Sequence, residues 1–419
     1  MKKQPSLLLK DVTLPDGRVA DILAGGGKVV HVGAGTTADR TIDCRGRIVL
    51  PAAVDVHVHM RGGVQSAKED WGSGSRSALA GGVTVVVDQP NTVPPLTTPA
   101  AFAARVEDAK NHSLCSFAIN SGVTPGTPLP EMWQAGSLAF GEIFFAPSSF
   151  GDAVDADTLA RALEEIHRLG GLATIHAEEV APGADESLAD HAALRSAAGE
   201  LRAVTAVGRC NSRGCRLHFC HLSTRDSVMA APGTVEVTPH HLFLSHEKFS
   251  GNDTYARMNP PLRSEKERKE LWTAWDSIDV IASDHAPHTR EEKAVPFASA
   301  PSGVPGVETM VPLLVAGMLE KKVPLADIVK KTVEAPARLI GITPAGFSVG
   351  SRADFALYSK KPVRIEGDLL HSRCGWTPFE GMPAVFPSVV VMGGEVVFEE
   401  GQFPAGTPSW IPGRGYRQP

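Results

Sequence analysis

His57 and His59 stand two residues apart in an apolar, β-type run, AAVDVHVH (52–59). Alternate side chains of an extended strand share a face, so two imidazoles at this spacing point the same way. Two imidazoles converging on one point suit a divalent metal. Further on, His176 falls in LATIHAE (172–178), His221 in RLHFCHL (216–222) and Asp284 in DVIASDHAP (279–287). These five residues offer nitrogen and oxygen ligands of the kind Zn²⁺ prefers. A metal in a dry barrel mouth lowers the pKa of its water toward roughly 7 and polarises a substrate carbonyl. Asp284 can take the proton of the attacking water and hand it to a departing nitrogen, as general base and then general acid.

The elements that must position these groups follow from the apolar pattern. Eight short runs stand at 52–59, 83–88, 115–119, 141–146, 172–178, 216–222, 234–241 and 279–287. Amphipathic stretches such as ADTLARALEEIHRLG (156–170) and SEKERKELWTAWDS (264–277) lie between several of them. Near-continuous apolar strands alternating with helices imply a parallel sheet covered on both faces. Eight of them predict an α/β fold, a (β/α)₈ TIM-type barrel over residues 51–349. An open doubly wound sheet needs a Gly-rich turn after its first strand, and DVHVHMRGGVQ is not one. Residues 1–50 and 350–419 read as β runs with turn punctuation. They are expected to form one small flanking β-sandwich domain built from both chain ends, with 404–419 as an extended arm.

Active sites of such barrels lie at the C-terminal strand ends. Nine of the 15 histidines (57, 59, 176, 218, 221, 240, 241, 285 and 288) fall on the runs or just past them. The other six (31, 112, 167, 191, 246 and 371) read as ordinary surface or core residues. Composition narrows the class. The chain of 419 residues has 42% hydrophobic and 21% charged residues and a net charge of −6. That is globular composition, and a mildly acidic balance without a basic run argues against nucleic acid as a partner. No apolar stretch is long enough to span a membrane, and the run of three leucines near the start is too short for a signal peptide. Six cysteines without a CxxC read as reduced thiols of a cytoplasmic protein.

Several segments together resemble the dihydroorotases, cyclic amidohydrolases of the amidohydrolase superfamily. They are DVHVHMR (55–61), GGVTVVVDQPNT (81–92), IHAE (175–178), HLST (221–224), EVTPHHL (236–242), RMNPPLR (257–263), SDHAPHT (283–289) and APSGVPGVET (300–309). The motifs run in order through the whole chain. The resemblance implies interconversion of N-carbamoyl-L-aspartate and L-dihydroorotate in pyrimidine synthesis. It places His57, His59, His176, His221 and Asp284 on the metal ligands, and Arg61 and Asn91 on the residues that hold a substrate carboxylate. A guanidinium forks onto a carboxylate and an amide adds a neutral donor, so chemistry agrees. Asn259 and His288 fall on further substrate contacts, and Ser302 and Gly303 on a loop offering backbone groups to the pyrimidine ring.

The sequence also departs from the family. Many relatives carry a carboxylated lysine on the fourth strand that bridges two metals. FGEIFFAPSS has none. Glu142 is its only carboxylate, either a bridging ligand or a residue that points elsewhere, so one ion and two both remain open. Where other relatives place an aspartate, Pro147 and Ser148 stand, and Glu-Pro-Gly after the first arginine is Gly62-Gly63-Val64 here. Two other functions compete. A hydantoinase, dihydropyrimidinase or allantoinase opens neutral cyclic amides and needs no carboxylate clamp. A non-catalytic scaffold for a transcarbamoylase tends to lose ligands, whereas the histidines and Asp284 remain. The expected partner is a small-molecule substrate. The sequence leaves a homo-oligomer open and does not fix the oligomeric state. The polar stretch 288–303 is a candidate for ordering on binding.

Overall fold

A computed structural model of the chain describes residues 6–14, 17–145 and 154–418. Ala146 of the fourth run and the departures at Pro147 and Ser148 lie outside the described residues, as do the first five residues. All eight apolar runs form parallel strands. Numbered within the barrel they are β1 (Ala53–Val58), β2 (Val83–Asp88), β3 (Ser116–Ile119), β4 (Phe140–Phe144), β5 (Leu172–His176), β6 (Arg216–Phe219), β7 (Thr234–Val237) and β8 (Val280–Ile281). Hydrogen bonding joins β1–β2–β3 in one set and β4 through β8 in another. Two single parallel bridges close the ring, Ser121 with Phe140 and Val58 with His285. At the second seam the His59 N–H donates to the His285 carbonyl at 2.8 Å. That bond ties the end of β1 to the segment just past β8, where Asp284 sits.

The strands are Val-, Ile-, Ala- and Phe-rich and buried along nearly their whole length, as a sheet covered on both faces requires. Val54, Val56, Val85, Val87, Ala118, Leu172, Val280 and Ala282 form one cluster, so side chains from opposite sides of the barrel meet across it. Helices such as Ala156–Leu169 cover the outside. That helix starts where the Asp155 carboxylate accepts from the Thr158 N–H and ends at Gly170 in the left-handed region, φ 72°. Between Asp55 and Val58 the β1–β2 register shifts, an irregularity of the kind that re-aims side chains beside active sites.

Both chain ends meet in the flanking sheets. Ile48–Pro51 pairs antiparallel with Phe355–Tyr358, in a sheet completed by Pro387–Met392 and Glu395–Glu399. The facing sheet holds Lys28–Val32, Val19–Gly25, Leu7–Thr13 and Arg40–Asp43. Leu9, Val12, Ile22 and Ile42 from one sheet pack with Phe355, Leu357 and Val391 from the other. Much of the C-terminal tail returns to the barrel instead. Ile365, Trp376 and Phe379 cluster with Met258, Phe297 and Leu313. The Pro/Gly-rich arm lies along β3: the Phe117 N–H donates to the Ser409 carbonyl at 3.0 Å, and the Ile411 N–H to the Phe117 carbonyl at 2.7 Å.

One buried ion pair fixes the backbone that leads out of β1. Arg105 Nε donates to Asp88 Oδ2 at 2.8 Å, and Asp88 Oδ1 accepts from the Met60 N–H at 2.8 Å. Removing one partner strands the other charge in a dry site. Arg105→Leu should therefore lower stability by about 3–5 kcal/mol, read as a shift of the urea midpoint at unchanged slope.

Candidate active site

The five residues singled out as ligands converge at the C-terminal strand ends. From β1, His57 Nδ1 meets Glu236 Oε1 of β7 at 3.0 Å, which turns Nε2 toward the barrel axis. His57 Nε2 lies 3.5 Å from both Glu142 Oε2 and Asp284 Oδ1, buried and without a hydrogen-bond partner. His59 Nε2 is 3.1 Å from Asp284 Oδ1, and its Nδ1 is 2.6 Å from Asn91 Oδ1. Glu142, left open by the sequence, points inward from β4. Its Oε1 lies 2.8 Å from His176 Nδ1 and 2.7 Å from His221 Nε2. Two triads result, His57–Glu142–His221 and His57–His59–Asp284, each with candidate ligand atoms within 4.8 Å of one another. A third, His57–Cys220–Glu236, lies on the Nδ1 side of His57.

The backbone at three of these positions is forced. Arg61, His221 and Asp284 have φ of 48°, 35° and 45°, a left-handed region that disfavours residues with a Cβ by about 1 kcal/mol or more. Hydrogen bonds hold the turns. Glu236 Oε1 accepts from the His221 N–H at 3.0 Å, Ser283 Oγ accepts from the His285 N–H at 3.1 Å, and the Glu69 carbonyl accepts from the Gly62 N–H at 3.0 Å. Each turn swings its side chain from strand direction into the mouth.

The cage favours positive charge. Burial opposes a charged His57, but Glu236, Glu142 and Asp284 outweigh it and hold the imidazole well above its usual range. Burial likewise pushes Glu142 up, and the facing His57, His176 and His221 overcome it and keep the carboxyl well below the usual range. Asp284 is held at about 2 against its own burial, chiefly by His57 and His59. The carboxylates thus create a potential that a divalent cation would share.

A cavity of about 420 Å³ opens onto the cage, lined by His59, Glu142, His176, His221 and Asp284. Every residue expected to touch substrate lines it too: Arg61, Asn91, Asn259, His288, Ser302 and Gly303. A larger cleft of about 660 Å³ beside Glu179 and Arg202 holds none of the converging ligands, so volume does not identify the site. Arg61 is only 7% exposed, has a buried Nε without a partner, and makes no ion pair among the described residues. Its Nη2 lies 3.5 Å from His288 Nε2. Burial and then Arg61, Lys293 and Lys68 push the His288 imidazole far below its usual range, so it stays neutral.

Several neighbours escaped the sequence reading. Glu236 serves His57, His218 and the His221 backbone at once. A carboxylate alternating with valines in TVEV was the available signal, since a charge in a buried strand needs partners. Arg195 donates to Glu178, which in turn lies 3.0 Å from His176 Nε2. His191, read as ordinary, is buried against Asn259. Conversely, His218, His240, His241 and His285 stand outside the two triads around Glu142 and Asp284. His240 and His241 lie on the short helix Pro239–Phe243 rather than on a strand, because Pro239 starts a helical turn. The stretch 288–303 packs against the neighbouring segment that carries Thr254 and Arg257. Buried Lys293 donates to the carbonyls of Thr254, Arg257 and Pro301 at 3.1, 3.1 and 2.7 Å, which pins it.

Comparison with known proteins agrees with this geometry. Residues 48–397 match the model of the amidohydrolase family. The chain is 40% identical to a dihydroorotase of Methanosarcina acetivorans, over 95% of this chain and 91% of that protein. It is 39% identical to one of Halobacterium salinarum, over 98% and 100%. Among solved structures, an L-hydantoinase (dihydropyrimidinase) from Arthrobacter aurescens superposes with a TM-score of 0.88 at 28% identity, covering 95% of this chain and 97% of that one.

Because Glu236 orients the His57 ring and holds the His221 backbone, Glu236→Gln should weaken metal binding about 10–100-fold with the fold retained, as measured by chelator competition.

Proposed function

The chain belongs to the amidohydrolase family as a dihydroorotase-like member, and from that premise we propose that it interconverts N-carbamoyl-L-aspartate and L-dihydroorotate. The observation that carries this reading is Arg61. Asp284, Asp88, Glu292 and Glu69 act on the buried Arg61 guanidinium only from beyond ion-pair contact, so an anion that meets it directly offsets a burial cost they leave uncompensated. Beside the cage, that anion is the substrate's carboxylate, held in a fork with the Asn91 amide adding a neutral donor. Neutral cyclic amides, the substrates of a hydantoinase, offer Arg61 no counter-charge. Asn259, His288, Ser302 and Gly303 frame the rest of the ring.

The residues present fit a metal. The unpartnered Nε2 of His57 is aimed between two carboxylates, and buried imidazoles paired with carboxylates form the donor set Zn²⁺ favours. His57, His59 and Asp284 would hold one ion; Glu142, His176 and His221 would hold a second, with Glu142 in the place of the absent lysine. When bound, the metal supplies Lewis-acid polarisation and an acidified water. The chain's own groups do the rest. In ring opening, water oxygen bonds to the amide carbon and Asp284 accepts the proton released. The carbon–nitrogen bond then breaks, and Asp284 delivers that proton to the departing nitrogen. Closure runs the same steps backwards and expels water. Arg61 and Asn91 hold the ring so that its amide faces the cage throughout.

Three coarser inferences accompany this reading. Six free thiols, five of them buried, support a reducing, cytoplasmic setting. Among the described residues no helix is long and apolar enough to cross a membrane. We also take 51–349 as the catalytic unit, with 1–50 and 350–419 as its flanking β domain, supported by the shared sheet of Ile48–Pro51 and Phe355–Tyr358.

Asp284→Asn should fold yet lose kcat by about 10²–10⁴-fold on dihydroorotate; near-normal turnover refutes the proton carrier. Arg61→Met should raise KM for dihydroorotate while leaving dihydrouracil unaffected, and an unchanged KM removes the clamp. For Glu142→Gln we expect a lower metal stoichiometry by elemental analysis; an unaltered ratio takes Glu142 out of the site.

A further inference from the structure

The wall of the cavity facing the cage carries an arrangement that no part of the chemistry above uses. His191 is 1% exposed, on the helix Leu188–Leu194. Its Nδ1 lies 3.0 Å from both carboxylate oxygens of Asp185. Its Nε2 lies 2.9 Å from Asn259 Oδ1 and 3.0 Å from the Met258 carbonyl. Asp185 also accepts from Arg257 Nη2 at 2.6 Å, and Arg257 Nη1 donates to the Ala300 carbonyl at 2.6 Å and to that of Phe297. Asp185 is therefore the common anchor of Asn259 and of the loop that leads to Ser302 and Gly303.

An amide side chain has one accepting and one donating end, and without a constraint it presents either. The Met258 carbonyl beside His191 Nε2 can only accept, so that nitrogen carries a hydrogen. Asn259 must then turn its oxygen to His191, which leaves its NH₂ for the cavity that Asn259 lines. Resting on the reading of this cavity as the substrate site, we infer that Asp185 and His191 are positioning residues that lock Asn259 as a hydrogen-bond donor to a substrate oxygen. Both ring nitrogens therefore face acceptors, and the lock holds with His191 as the imidazolium, which burial, Arg195 and Arg257 oppose and the Asp185 carboxylate favours. The Phe297 ring stands edge-on to His191 at 6.0 Å and limits its rotation.

The test is a double-mutant cycle of His191→Leu and Asn259→Ala, with His191→Gln as the conservative variant. Wild type is first assayed on dihydroorotate, dihydrouracil and hydantoin, and the cycle is run on whichever it opens fastest. Preference for a neutral ring sinks the dihydroorotate reading and leaves the cycle intact. His191→Leu should raise KM about tenfold, the worth of one hydrogen bond, with kcat within about threefold and metal content unchanged. Asn259→Ala should do the same, and the double variant should be no worse than Asn259→Ala alone. His191→Gln, which can still donate to Asn259, should recover most of the loss. Losses that multiply independently, or a KM unmoved by His191→Leu, overturn the lock. A neutron structure of the His191→Gln or His191→Leu protein, which tells amide nitrogen from oxygen, reads it without turnover. In the Leu variant the Asn259 amide should leave its present orientation, and in the Gln variant keep it; an amide unmoved in the Leu variant refutes the inference.

Discussion

Everything in this molecule is arranged around the burial of like-signed groups that tolerate one another only through a shared counter-charge. Glu142, Asp284 and Glu236 lie almost wholly out of water within reach of His57. Three carboxylates in so small and dry a volume repel strongly, and they are tenable because positive charge sits between them. Imidazoles supply part of it, and a divalent cation would supply more. Binding the ion and stabilising the fold are thus one electrostatic problem.

The barrel solves that problem by closure. Five strands bring Glu142, His176, His221, Glu236 and the pair His57 and His59 to one end, and the segment past β8 brings Asp284. The seam is a single bridge at Val58 and His285, reinforced by the His59 N–H. Left-handed turns at Arg61, His221 and Asp284 spend local backbone energy to aim side chains across the mouth. Such turns persist only where neighbouring hydrogen bonds over-determine them, and Glu236, Ser283 and Glu69 provide these.

The cavity wall works with opposite sign. Arg61, Lys68, Arg195 and Arg257 all line it, facing Glu142 and Asp284. Lys68 and Arg195 are held by Glu292 and Glu178, and Arg257 by Asp185. Arg61 alone of the four makes no ion pair among the described residues. On the proposed reading, that asymmetry would orient an acidic cyclic amide in the cavity, with carboxylate to Arg61 and amide to the cage.

Much of this was legible in the residues alone. Eight apolar runs with helical spacers require a parallel sheet buried on both faces, and the lack of a Gly-rich turn after the first favours a barrel over an open sheet. The HVH spacing and the polar residues at run ends mark candidate ligands, because a polar side chain aimed into a dry barrel mouth needs a partner. These are local signals, set by periods of two and 3.6 residues. Glu142 turning inward, Glu236 serving three histidine contacts, His191 meeting Asn259 and the C-terminal arm lying along β3 are different in kind. Each depends on distances between segments tens to hundreds of residues apart, which only the closed barrel sets. A carboxylate in a β run carries the same local pattern whether it meets an imidazole or a solvent-filled edge. Only tertiary packing, by removing water, makes that choice.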